Sequence, residues 1–142
     1  MLTEKILNDL TWAGGTNMDL YEVEGNYLLK KYNIPIVEGV LYNKNIDFSE
    51  ITFPCVVKGQ VLSGKRGKAG AIKFADSEEE LPAAIESVKK AVVQGKKVEE
   101  IFITPKLKIK KEHYLGVTLD RVNRKILLMY SSEGGMDIEE LA

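Results

Sequence analysis

Apolar residues recur every three or four positions after residue 19: Leu20, Val23, Tyr27 and Leu28, with Tyr32 extending the row. This spacing lines one side of a helix, and Asn33 and Pro35 supply its stop. Residues 4–12 predict a shorter helix that breaks at Gly14-Gly15. Downstream the period changes. Val37, Val40 and Tyr42 lie among residues suited to a strand, and residues 43–50 are polar and loop-like. Residues 53–58 read as a buried strand, because they are short, mostly apolar and β-branched. Residues 71–74 predict another strand. Ser77 followed by Glu80 has the spacing of a capping box, and the helix it predicts carries Ile85, Val88 and Val92 and stops near Gly95.

Strands follow at residues 101–104, 113–120 and 125–131. The last two flank the polar turn Arg121-Val122-Asn123-Arg124 and read as a hairpin. Asp137 and Glu140 open a final helical signal. A helix of one turn is unstable by itself, since isolated helices need about 12 residues or more, so this signal predicts an element that continues in further polypeptide. The element order predicts an α+β (mixed α/β) architecture with a mostly antiparallel sheet.

Composition narrows the classes. Across 142 residues, 44% are hydrophobic, enough for a core, and the formal net charge of −1 gives no general pull toward nucleic acid or anionic membrane. Cys55 is the single cysteine, so no disulfide framework within the chain is possible. No apolar run approaches the roughly 20 residues of a membrane span, and the first residues do not read as a signal peptide. A cytoplasmic location, with no membrane and no nucleic-acid partner, is the expectation.

The chemistry concentrates between residues 58 and 70. Lys58 ends an apolar strand, and the segment Ser63-Gly64-Lys65-Arg66-Gly67-Lys68-Ala69-Gly70 follows. Glycines let a backbone approach a ligand closely, successive N–H groups can cradle phosphate oxygens, and an ammonium acts on phosphate as a point charge. Gly59, four residues and Gly64-Lys65 nearly spell a P-loop. Arg66 stands where that motif needs a Ser or Thr, and the loop returns to a strand instead of opening a helix. A glycine-rich flap between two strands fits better. A surface hairpin with solvated lysines is the competing expectation at this level.

The stretch from Val56 to Gly70 strongly resembles the phosphate-covering region of succinyl-CoA synthetase beta subunits. Three further blocks resemble the same family in the same order: residues 18–35, Glu112-His113-Tyr114-Leu115-Gly116-Val117 with Asp120-Arg121, and Ser132-Glu133-Gly134-Gly135-Met136-Asp137-Ile138-Glu139. Malate–CoA ligase beta subunits are the nearest confusable relatives. The resemblance implies the N-terminal part of an ATP-grasp fold over residues 18–142, with residues 1–17 as an extension lacking a counterpart. It implies ATP or GTP held with Mg²⁺, and a ligase reaction joining succinate to CoA. It also implies an alpha-subunit partner carrying a phosphohistidine, so the only histidine here, His113, is not that group. Lys58, Lys65, Arg66 and Gly67 match phosphate-loop positions, and Glu112 matches a nucleotide-contacting glutamate. Thr104 stands where the family usually has a glutamate at the base hinge, and Lys65 where glycine is common. No residue here matches the family's catalytic groups, and its metal ligands lie beyond residue 142. The resemblance therefore implies an incomplete enzyme that is inactive alone, completed by a separate chain in one version.

Other residues carry blander expectations. Cys55 reads as core, His113 as packed or surface, and residues 106–111 as an edge strand or linker with a solvated basic face. A non-catalytic interaction or nucleotide-binding module is the alternative function. A small nucleic-acid-binding domain is disfavoured, because no row of exposed aromatics is apparent for base stacking.

Overall fold

The computed structural model describes residues 19–134. The expected helix at residues 4–12, the extension at 1–17 and the helical signal at Asp137 lie outside them. The chain divides into two compact units, Met1–Lys106 and Leu107–Ala142.

In the first unit, helix α1 spans Glu22–Lys31, strand β1 Val40–Leu41, β2 Cys55–Gln60, β3 Ile72–Ala75, helix α2 Leu81–Lys89 and β6 Glu100–Pro105. Between α2 and β6 lie two short strands, β4 at Val92–Val93 and β5 at Lys96–Lys97. The main sheet has the order β1-β6-β2-β3 and every pairing in it is antiparallel. This agrees with the mixed α/β, mostly antiparallel expectation.

Alternation along the strands separates two faces. On one face Cys55, Val57, Ala75, Ile101 and Ile103 pack with Leu81, Ala84, Ile85 and Val88 of α2 to form the core. Cys55 is thus a buried core residue, as its apolar strand suggests. On the other face the register sets Lys58 opposite Ile72 and Phe102, and Val56 opposite Phe74 and Thr104. Lys58 and Thr104 therefore belong to neighbouring pairs on the face away from α2.

Helix α1 starts and stops by side-chain and backbone chemistry. Glu24 accepts the Tyr21 backbone N–H at 2.8 Å, satisfying a donor at the N-terminus. At the other end Asn33 adopts φ 57°. Its N–H reaches Lys30 O at 3.0 Å, and Ile34 N–H reaches Leu29 O at 3.0 Å. That is a Schellman stop, with asparagine in the left-handed position.

Helix α2 departs from the sequence expectation at both ends. It begins at Leu81, four residues after Ser77. The cause is Pro82. A cap at Ser77 would set Pro82 inside the helix, where its missing N–H and ring would disrupt the i−4 bond. The observed start leaves Pro82 in the first turn, where it is tolerated. Glu80 instead accepts the Asp76 N–H at 2.9 Å. At the far end Val92 is not helical but starts β4, and Gln94 and Gly95 turn the chain into β5 with φ of 49° and 80°. Two left-handed residues are what a tight two-residue hairpin needs.

In the second unit β7, Tyr114–Asp120, pairs antiparallel with β8, Lys125–Ser131. Asp120 secures the turn by accepting the N–H groups of Val122 and Asn123, each at 3.0 Å. One face of this hairpin is wholly apolar, with Leu115, Val117 and Leu119 opposite Tyr130, Leu128 and Ile126. All six side chains are exposed. His113 lies at the surface, with Nδ1 2.8 Å from the Tyr130 hydroxyl. Residues 106–111 form no strand and link the units.

Candidate functional site

Strand β2 turns into β3 through the flap at residues 61–71, so the glycine-rich segment does connect two antiparallel strands and opens no helix. The flap is folded upon itself. Ala71 N–H reaches Arg66 O at 3.0 Å, Gly70 N–H reaches Gly67 O at 3.1 Å and Ala69 N–H reaches Lys65 O at 3.2 Å. Lys65 and Gly70 both adopt left-handed conformations, with φ of 65° and 74°. The backbone at Lys65 is thus of the kind glycine favours, at the position where the resembling family commonly has glycine.

Lys58 and Arg66 converge on a residue that the sequence did not single out. Glu22, in the first turn of α1, accepts Lys58 Nζ on Oε1 and Arg66 Nη2 on Oε2, each at 2.8 Å. Arg66 Nη1 also donates to the Gly59 carbonyl at 3.3 Å. All three side chains are about four-fifths buried, with exposures of 21–24%. Burial alone would raise the Glu22 carboxyl. The hydrogen bonds and charges of Lys58 and Arg66 outweigh it and hold the group below the ordinary carboxylate range.

The start of α1 is fixed on either side of Glu22. Val23 N–H donates to Gln60 Oε1 at 3.3 Å, and Gln60 Nε2 donates to the Lys58 carbonyl at 3.2 Å. Gln60 is fully buried, so these bonds satisfy a polar side chain that would otherwise be costly. The Tyr21 hydroxyl donates to Glu99 at 2.7 Å, which raises the phenol to about 12. No local pattern reveals Glu22 or Gln60 as site residues. Glu22 is 36 positions from Lys58, and its sequence signal is only that of an acidic helix start.

Beside this network lies a cleft of about 380 Å³ lined by Asp19, Glu22, Leu62, Ser63, Gly64 and Arg66, among others. Ser63 Oγ is buried with no hydrogen-bond partner. An orphaned hydroxyl, two cations and a glycine-rich backbone make a donor set suited to an oxyanion. The remaining expected residues are dispersed. Gly67 and Lys65 lie exposed on the same flap. Thr104 is buried in β6 and lines a separate hollow of about 240 Å³ with Glu38, Gly39 and Glu50. Glu112 belongs to the second unit, where its carbonyl accepts Gly134 N–H at 3.1 Å. Among the described residues no three His, Cys, Asp or Glu side chains group as metal ligands. No helix among them is long and apolar enough to cross a membrane.

Comparison with known proteins gives this arrangement its context. Succinate–CoA ligase [ADP-forming] beta subunits match over most of the chain. That of Methanocaldococcus jannaschii is 44% identical over 127 residues, covering 88% of this chain and 35% of the relative. That of Hydrogenobaculum sp. is 42% identical over 136 residues, covering 88% and 36%. That of Ignicoccus hospitalis is 40% identical over 129 residues, covering 88% and 34%. The chain thus spans about a third of the length of these relatives. Among solved structures, the dinucleotide-forming acetyl-coenzyme A synthetase 1 of Ca. Korarchaeum cryptofilum, in complex with coenzyme A, Ca-AMPCP and HgCl+, shares the fold. Its TM-score is 0.66 at 23% identity, over 92% of this chain and 58% of that one. The ATP-grasp domain model matches residues 19–142, the whole described region included, and the chain belongs to the ATP-grasp family.

Proposed function

We propose that this chain is the N-terminal, nucleotide-binding portion of a succinate–CoA ligase beta subunit, with Lys58 and Arg66 taking the phosphates of ATP or GTP. The observation that carries this reading is the convergence of a strand lysine and a flap arginine beside a cleft lined in part by Ser63, whose buried hydroxyl has no partner. The similarity to ADP-forming ligase beta subunits supports the nucleotide and the acid–thiol ligase class.

In this reading each residue has a distinct task. Lys58 and Arg66 offer charge-assisted N–H donors to phosphate oxygens, and such bonds are about twice as strong as neutral ones. Flap N–H groups near Gly64 and Gly67 add backbone donors, and Lys65 adds positive charge. Thr104, on the same sheet face as Lys58, lies toward the base. Glu112, which belongs to the second unit, is the proposed nucleotide-contacting glutamate by its match to the family position. Phosphoryl transfer depends on positioning and charge neutralisation, and Mg²⁺, when bound, would supply part of that neutralisation. Its ligands belong to the part of the relatives that this chain does not span. The alpha subunit with its phosphohistidine is the proposed partner, and the cytoplasm the proposed location. Residues 1–17 are an extension in this account.

Calorimetric titration with Mg-ADP and Mg-ATP tests the reading. Binding that Lys58→Ala removes is the expected result. Equal binding by both proteins would exclude Lys58 from the phosphate site.

A further inference from the structure

The tie between Glu22 and the two cations assigns a role beyond binding nucleotide. We propose that Glu22 is the positioning residue of the phosphate site, its single carboxylate setting the strand lysine and the flap arginine side by side. This rests on the reading that Lys58 and Arg66 take nucleotide phosphates.

Two like charges on different segments repel, and the bond that ties the Arg66 guanidinium to β2, Nη1 to the Gly59 carbonyl at 3.3 Å, does not engage the Lys58 ammonium. Lys58 belongs to the strand, while Arg66 sits on the flap after the ladder has ended. The carboxylate bridges them with one oxygen each, at 2.8 Å and 2.8 Å. It is itself preset, because its neighbours in sequence are both anchored: Tyr21 to Glu99 and Val23 to the buried Gln60. Gln60 in turn holds the Lys58 carbonyl. The helix start, strand and flap thus form one connected unit.

A carboxylate among phosphate-binding cations could instead act as a competitor that phosphate must displace. Donor capacity argues for positioning. An ammonium carries three N–H donors and a guanidinium five. Glu22 engages one nitrogen of each, so phosphate can be bound with the Glu22 bonds kept. The three side chains together retain one net positive charge. Preorganised donors of this kind lower the ordering cost of binding an anion.

The test compares wild type, Glu22→Gln, Glu22→Asp and Lys58→Ala in the 142-residue chain. One measurement is Mg-ADP affinity by calorimetry. The other is hydrogen exchange across residues 61–71 without nucleotide. Glu38→Gln, which breaks the exposed Lys30–Glu38 pair elsewhere, controls for generic loss of an ion pair. Glu22→Gln is expected to speed flap exchange and weaken ADP binding roughly tenfold, about the effect of one lost charge-assisted hydrogen bond. Glu22→Asp should recover part of both effects, and Glu38→Gln should change neither. Unchanged flap exchange in Glu22→Gln, or ADP binding as tight as wild type or tighter, overturns the proposal while leaving the nucleotide reading intact. Failure of the wild type to bind ADP overturns the nucleotide reading, and this role with it.

Discussion

Replacing Gly39 with alanine sets two effects of opposite sign against each other, and the structure decides between them. An alanine that fits its site stabilises a protein by about 0.4–1 kcal/mol, because the unfolded chain loses freedom. At Gly39 there is no room. An added Cβ would lie 2.3 Å from the Ile103 carbonyl oxygen, 2.8 Å from Thr104 Cγ2 and 2.9 Å from Phe102 Cζ. The first of these is backbone in β6, which pairs with β2 over six residue pairs. It cannot yield without disturbing the central strand. Overpacking in such a place costs typically about 1–3 kcal/mol, occasionally more. The clash therefore wins, and Gly39→Ala is expected to destabilise by about 1–2 kcal/mol net. Gly25 supplies the opposite case. It lies inside α1, and an added Cβ there meets nothing within 4 Å. Gly25→Ala should stabilise by up to about 1 kcal/mol, the helix-propensity difference. Urea denaturation with a common m-value reads both. A Gly39→Ala midpoint at or above wild type would refute the steric argument, since only a displaced or open residue 34–41 segment could accept the methyl group.

Other expectations follow from the same structure. Ile85 is 2% exposed between α2 and the sheet, so Ile85→Ala should lower stability by about 2–5 kcal/mol in the same denaturation assay. Glu22 has its carboxyl depressed in the folded state. Its contribution is thus present above the ordinary carboxylate pKa and lost as pH falls through the lower folded value. Wild type should lose stability relative to Glu22→Gln on acidification below about pH 4.5, measured by thermal melts at stepped pH. Tyr21 is shifted the other way, to about 12. Its hydrogen bond to Glu99 contributes fully below the ordinary phenol pKa and is lost as pH rises from there through the folded value of about 12. Ultraviolet titration should show one late-ionising tyrosine that Tyr21→Phe removes.

Much of this fold was legible because short-range patterning carries it. The buried run at residues 53–58 became β2, and the polar turn at 121–124 became the β7–β8 hairpin, secured by Asp120. The flap was legible as a connection between two strands, since Arg66 and the return to β3 exclude a P-loop, whereas its glycines and basic residues alone suit a solvated hairpin equally well. The start of α2 departs from the capping signature at Ser77 because Pro82, which the helix interior cannot hold, overrides it. Its end was misread because Gly95 serves as a hairpin turn residue, which looks the same in sequence as a helix stop. In the site, Lys58 and Arg66 were visible in the flap sequence, whereas Glu22 and Gln60 were not. Their roles arise from contacts dozens of residues apart, made when the start of α1 docks on the strand. Thr104 was known only as a departure from a family pattern, and its position on the Lys58 face of the sheet needed the register.

The central claim is that this chain recognises phosphate through the flap between β2 and β3. Titrating ¹⁵N-labelled protein with Mg-ADP and separately with adenosine tests it most directly. The account predicts that ADP shifts the amide resonances of residues 58–71, and that adenosine leaves them in place. Equal shifts from adenosine, or ADP shifts confined to residues elsewhere, would contradict it.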